Sequence, residues 1–297
     1  MFRKYSVVIL LAIFMVPFDG AAYGQAVTKH FCASQDNNWS NGNNWNQILT
    51  CDGAVTGVPD DDDKTVIADN KTCNVNISTA IASHLEVRPG ATLNIQAGSS
   101  GNDRVLTLTG KTAFTTTVNG TVNLLGPYSK LLFTVNNHTL TGDGKIVGRD
   151  DSATIDFSDL RLTNVTTIEG NLQIISNDND DAFINECIVN ANGNGVLLFD
   201  DSLILQDVEG AVWKITQPLG GGQPVLRFNQ LYPGVSLKTP LEGDFEVRDG
   251  IVDIQSTIET TGTLFHTGGK IITGSTETAL FSDTDSPGAE CSICAPG

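Results

Sequence analysis

After its first segment the sequence has no window of a dozen residues with apolar side chains recurring at helical spacing, so α-helix is not its main material. Aromatic residues are scarce: three Trp and four Tyr in 297 residues are too few to mark the blades of a β-propeller. Hairpin dipeptides framed by two-residue loops are also rare, and the strand intervals exceed the roughly 8 to 12 residues favoured by a β-sandwich. Basic residues are outnumbered, with 17 Lys and Arg against 34 Asp and Glu and a formal charge of −17. Nucleic acid and anionic membranes are therefore repelled as partners, whereas divalent cations and neutral surfaces are tolerated.

The chain does have an export signal. Arg3 and Lys4 precede an apolar run from Val7 to Val16, which ends at Pro17 and is followed by small residues. The run is shorter than the ~20 apolar residues of a spanning helix, so residues 1–26 are expected to be removed, with no membrane insertion afterwards. Cleavage after Ala26 is expected, with Ala22 as the alternative, leaving a secreted or cell-surface, extracytoplasmic protein. Six cysteines, an even number, suit an oxidising compartment better than catalysis or zinc. Cys32 is expected to pair with Cys51, and Cys73 either to pair with Cys187 or to stay buried. Cys291 and Cys294 should form a local disulfide in a Pro/Gly/Ser tail.

Short alternating runs recur, such as Ala91–Ile95, Val105–Thr109 and Thr121–Leu125. Branched Thr, Val and Ile suit a pleated surface, and Gly, Asn and Asp suit the bends between. A glycine followed by alternating apolar residues returns at 90, 120, 144, 170, 195, 210, 243, 250, 262 and 269. The early intervals are about 20 to 30 residues, and a strand-turn unit of that length cannot bury its own inner face. It must stack on copies of itself. The expected fold is all-β, a single-stranded right-handed parallel β-helix (solenoid) over 76–285, preceded by a cap over 27–75 and followed by a tail over 286–297.

A stack has open ends that would pair with other chains unless covered. Trp39 and Trp45, in an Asn-rich stretch just upstream, are expected to plug one end. The competing reading is an exposed sugar-binding platform. The string Asp60-Asp-Asp-Asp63-Lys64 reads as a solvated turn. The order Trp39-Ser-Asn, Asn44-Trp45, Gly57-Val-Pro59, Thr65-Val-Ile67, Cys73-Asn-Val75 and Gly90-Ala-Thr-Leu93 resembles the N-terminal region of secreted bacterial surface proteins with pectin-lyase-like or autotransporter-passenger-like β-helical repeats. It is also similar to a glycine-rich module. The resemblance covers about residues 36–95 and implies a structural or adhesive surface module; a minority of such proteins act on polysaccharides.

Thirteen Asp or Glu against one Arg lie between Asp150 and Gly210. The doublets Asp150–Asp151, Asp180–Asp181 and Asp200–Asp201 could recur on one turn of successive coils, where Ca²⁺ would relieve their repulsion. Neither common calcium motif fits, since Ala182 stands where an EF-hand loop needs Gly and Gly193-Asn-Gly195 lacks a following Asp. Asp180, Asp181, Asp200 and Asp201 could instead serve as the carboxyl pair of a polysaccharide hydrolase or lyase. Against that, His138 and His266 lack flanking glycines, and the stretch has almost no basic residue to act beside an acid. His30, His84, His138 and His266 read as surface or turn residues. Thr107-x-Thr109 and Thr115-x-Thr117 resemble the threonine ladders of ice-binding solenoids but are not expected to persist in register. Gly220–Gly222 reads as a bend. The leading expectation is a structural, adhesive or glycan-binding module without catalysis, with a neutral glycan or a cell-surface protein as partner; the rival is a carbohydrate-active enzyme.

Overall fold

The computed structural model describes residues 27–111, 114–157, 161–176, 181–200, 204–218, 221–229, 241–256, 258–273 and 279–284. Among them the protein is all-β, with no α-helix and a single 3-10 turn at Gly42–Asn44. Every strand pairing is parallel except that of Thr28–Phe31 with Trp45–Asn46.

The strands fall into three parallel columns, here called faces A, B and C, which the chain visits in rotation. Face A runs through Thr28–Phe31, Lys64–Ile67, His84–Val87 and Thr115–Val118 to the starts of the long strands His138–Phe157 and Arg161–Ile175, then Ala182–Asn185 and Ile204–Asp207. Face B runs through Thr72–Val75, Thr92–Ile95 and Thr121–Leu124, the middles of the two long strands, Ile188–Ala191, Val212–Ile215 and Asp244–Val247. Face C begins with Thr79–Ala82, Arg104–Leu108 and Ser129–Phe133 and reaches Lys270–Thr273.

Alternation decides which side chains turn inward. On face B the aligned residues Cys73, Leu93, Val122, Ile146, Ile168 and Val189 are all buried, while their strand neighbours other than Val147 are more exposed. Towards the C-terminus the interior widens to aromatic rings, with Phe157, Phe183, Phe199 and Phe228 following one another at centroid spacings of 5.3 to 6.4 Å. At the corner from face A to face B, buried Asn164 and Asn185 are in register. Each side-chain carbonyl accepts the backbone N–H two residues on, and Asn164 Nδ2 donates to Asn185 Oδ1 at 3.1 Å. The amide thus supplies what the corner backbone would otherwise lack.

Several of the recurring glycines lie at corners where backbone rests on backbone. A Cβ on Gly144 would lie 2.1 Å from the carbonyl of Gly120, on Gly170 2.1 Å from that of Gly148, and on Gly262 2.0 Å from that of Gly243. No side chain fits there, which is why the glycine phrase repeats.

Parallel pairing begins earlier than residue 76. Lys64–Ile67 and Thr72–Val75 already belong to faces A and B, and the first rung is Thr28–Phe31 itself. The cap is the loop 32–59. Its strand Trp45–Asn46 runs antiparallel along the outer edge of Thr28–Phe31, and the disulfide between Cys32 and Cys51 ties the loop down. In the chain-entropy account this closure is worth on the order of 3 kcal/mol. Cys73 is a buried free thiol and Cys187 is also free, so these two do not pair. Cys291 and Cys294 lie outside the described residues.

The acidic string is not a solvated turn throughout. Asp63 is buried and pairs with buried Lys29 at 2.7 Å, while Lys29 Nζ also donates to Val58 O and Asp63 Oδ2 accepts Asp60 N–H. Burial works against the charged carboxylate, but the bonds from Lys29 and Asp60 outweigh it and hold Asp63 below its ordinary range. Asp61 and Asp62 pair with Lys111, and Lys64 with Glu86. The string thus joins the first rung to the second. Lys29→Met leaves a buried charge unpaired and should cost about 3–5 kcal/mol, read as a fall in the urea midpoint. Lys29→Met with Asp63→Asn should recover much of the loss; no recovery would show that the charge is not the cause.

Candidate functional site

Trp39 and Trp45 are each 0% exposed, which excludes them as a sugar platform. The asparagines fold the loop inward around them: Asn44 Oδ1 accepts the Gln35 N–H and its Nδ2 donates to Asp36 and to Asn38 O, so the loop backbone is satisfied locally. Trp45 stacks edge-on against both Phe31 and Trp39, and its Nε1 donates to Trp39 O at 2.9 Å. The indoles close the apolar end of the first rungs.

The acidic doublets separate into two groups. Asp150 and Asp151 lie on an irregularity between faces B and C, where Asp150 caps the Ser152 N–H and Asp151 Oδ1 accepts Val196 N–H at 2.8 Å and Asn171 Nδ2 at 3.1 Å. Asp181 and Asp200 flank face A at its other corner. Asp181 is buried and accepts a hydrogen bond from Ser176, and Asp200 accepts one from Asn229 Nδ2. Asp180 and Asp201 lie outside the described residues. Among the described residues no three His, Cys, Asp or Glu side chains come together as a metal-binding group. Of these acids, Asp150, Asp151 and Asp200 accept backbone or amide N–H groups at corners and Asp181 accepts a hydroxyl.

Asp207, the register partner of Asn185, is a further acid that composition does not single out. Burial lifts it above the usual carboxylate range, although Trp213 Nε1 donates to one oxygen at 2.6 Å and the Glu242 N–H to the other. With both oxygens engaged by structural donors, it anchors a corner and is not placed as a general acid.

Two histidines are not surface residues. His138 is fully buried beside Phe133, with its Nε2 2.9 Å from Thr116 Oγ1, and His84 is buried nearby. Burial, and then the neighbouring His84, push His138 down to about 4.

A trough of about 360 Å³ runs along the corner from face A to face B. Its floor is corner backbone at Gly90, Gly120 and Gly144, and its wall is Thr92, Thr121, Lys145 and Thr167, consecutive residues of one register row. Lys145 is held by Glu169 at 2.6 Å, and Asn192 bonds the other oxygen of Glu169. Asp143 also lines the trough, whose charged lining residues are thus one acid and one base. Beside it Asn74, Asn94 and Asn123 form an amide ladder, with Asn94 Nδ2 donating to Asn74 Oδ1 and Asn123 Nδ2 to Asn94 Oδ1, both at 2.9 Å. Composition missed this site because none of its residues is unusual. The signal was the polar residue just after Gly90-Ala91, Gly120 and Gly144, which becomes meaningful only once the rungs are aligned.

Compared with known protein families, curated proteins and solved structures, the chain matches none. No helix among the described residues is long and apolar enough to cross a membrane.

The buried imidazole gives a pH dependence. With a folded value of about 4 against 6.5 when unfolded, His138 binds fewer protons in the native state, so stability is lost as pH falls from 6.5 towards 4. The loss should reach on the order of 3 kcal/mol. Urea midpoints measured from pH 7 to pH 4.5 should fall in the wild type and fall less in His138→Gln.

Proposed function

We propose that the chain is an extracytoplasmic right-handed parallel β-helix of the kind found in secreted bacterial surface proteins, and that it works as a glycan-binding, adhesive module. The observation that carries this reading is the trough walled by Thr92, Thr121, Lys145 and Thr167. Threonine hydroxyls donate and accept, as polyol ligands require, and the trough runs along the stacking axis, so an extended oligomer would meet a hydroxyl at three of its four rungs and Lys145 at the other. The net charge of −17 disfavours polyanionic chains and leaves neutral polysaccharides as the ligand class. The Cys32–Cys51 disulfide suits an oxidising compartment. The acids at the corners are engaged with backbone and amide donors, which supports binding over hydrolysis.

A glycan array probed with the mature chain, with and without calcium, should show retention of neutral linear polysaccharides. Thr121→Arg, which fills the trough and adds charge, should weaken it about tenfold or more. Release of reducing or unsaturated sugars by the wild type would favour an enzyme instead, and unchanged binding by Thr121→Arg would remove the trough from the account.

A further inference from the structure

Face A carries a second surface next to this trough. Thr115 and Thr117 are in register with Thr139 and Thr141, and these in turn with Thr163 and Val165. Thr115-x-Thr117 therefore does persist in register, contrary to the sequence expectation. The intervening corners vary in length without disturbing the pairing of the strands. Thr107, by contrast, lies on face C between Ile81 and Leu132 and starts no ladder.

We infer that Thr115, Thr117, Thr139, Thr141 and Thr163, with Val165, form a rigid grid that binds the ordered water of an ice surface. Each of the six is half-exposed, and none of the five hydroxyls is bonded to another described residue. Branching at Cβ restricts χ1, so each hydroxyl and methyl is held in place by the strand beneath it. Strand geometry sets the grid at about 4.8 Å between rungs and about 6.7 Å along each strand. A ligand complementary to such a lattice must be periodic in two directions, uncharged, and able both to donate and to accept hydrogen bonds. An ice face meets all three conditions, whereas a single polysaccharide chain repeats in one direction only. Val165 supports the reading because it keeps the branched shape where it drops the hydroxyl, as a surface that also excludes disordered water would require. The grid has defined limits. Glu86, paired with Lys64 and Arg88, lies beside Thr117 at one end, and buried Ile184 follows Thr163 at the other.

The test is ice recrystallisation in the presence of the purified full chain, with thermal hysteresis as a second measure. The wild type should inhibit crystal growth at concentrations where an unrelated acidic protein does not. Thr139→Lys places a charge at the centre of the grid and should raise the required concentration about tenfold. Thr163→Lys should act in the same direction, and Thr107→Lys on face C should leave activity unchanged. Melting curves of each variant separate loss of the grid from loss of the fold. No inhibition by the wild type, full activity in both grid variants, or equal loss in Thr107→Lys overturns the inference. Loss of glycan retention in Thr139→Lys, with no activity on ice, overturns it as well and assigns the grid to the glycan face.

Discussion

Parallel stacking at one-strand spacing is the constraint on which the rest depends. At about 4.8 Å between rungs, every inward residue must fit against its copy above and below, and every corner must let backbone cross backbone. The first demand produces the buried rows, such as Cys73 through Val189 on face B. The second produces the glycines, since a Cβ at Gly144 or Gly262 would lie within the radius of the preceding carbonyl oxygen. Asn164 and Asn185 answer the same demand with a side chain that bonds its own corner and the next amide in the row. Corner length is less constrained: Asn74 and Asn94 are 20 residues apart and Asn94 and Asn123 are 29, yet their amides meet at the same 2.9 Å. Extra residues bulge outward while the strands remain in register.

The first rung shows how such a stack is closed. An exposed parallel edge would recruit another chain, and here the chain turns back on itself, running Trp45–Asn46 antiparallel to Thr28–Phe31. Apolar closure comes from Phe31, Trp39 and Trp45, covalent closure from Cys32–Cys51, and ionic closure from Lys29 with Asp63. These act on the same short segment, which has only one neighbouring rung and so lacks half the packing of an interior strand. The buried ion pair stabilises only while both charges are present, because either alone would be left in a low-dielectric site.

Much of the architecture was legible because it rests on local chemistry. Alternation in Thr121–Leu124 and the glycine phrases state which residues face in and where the corners fall, and an even cysteine count with Cys32 near Cys51 pointed to the bond that forms. What stayed hidden depends on register, which one sequence does not state. Asp63 and His138 look like ordinary surface residues until Lys29 and Thr116 are brought beside them from 34 and 22 residues away. The same ignorance of register made Thr115 and Thr117 look isolated, and made the prominent acidic doublets look more like a site than the inconspicuous threonines of the trough. Asp151 shows why: its carboxylate joins Asn171 and Val196 on two further rungs, a structural task that resembles a binding cluster when read as composition.

The outer surface carries both charged and neutral rows. Ion pairs hold some outward positions: Lys64 with Glu86, Lys145 with Glu169, Lys214 with Glu246 and Arg227 with Asp253 join neighbouring rungs, and Arg248 adds to Glu246 from the same rung. Such pairs fix neighbouring strands but occupy each other, and in water each contributes little beyond that. Other outward positions are neutral: Thr92 and Thr121 on face B, Thr115, Thr139 and Thr163 on face A, and the side-chain amides of Asn74, Asn94 and Asn123, which bond one another. Neutral hydroxyls contribute less to cohesion than ion pairs or apolar contacts, so a fold selected for stability alone has no need to align them. Their alignment on two faces that share the glycine corner is the observation on which the proposed recognition surface rests.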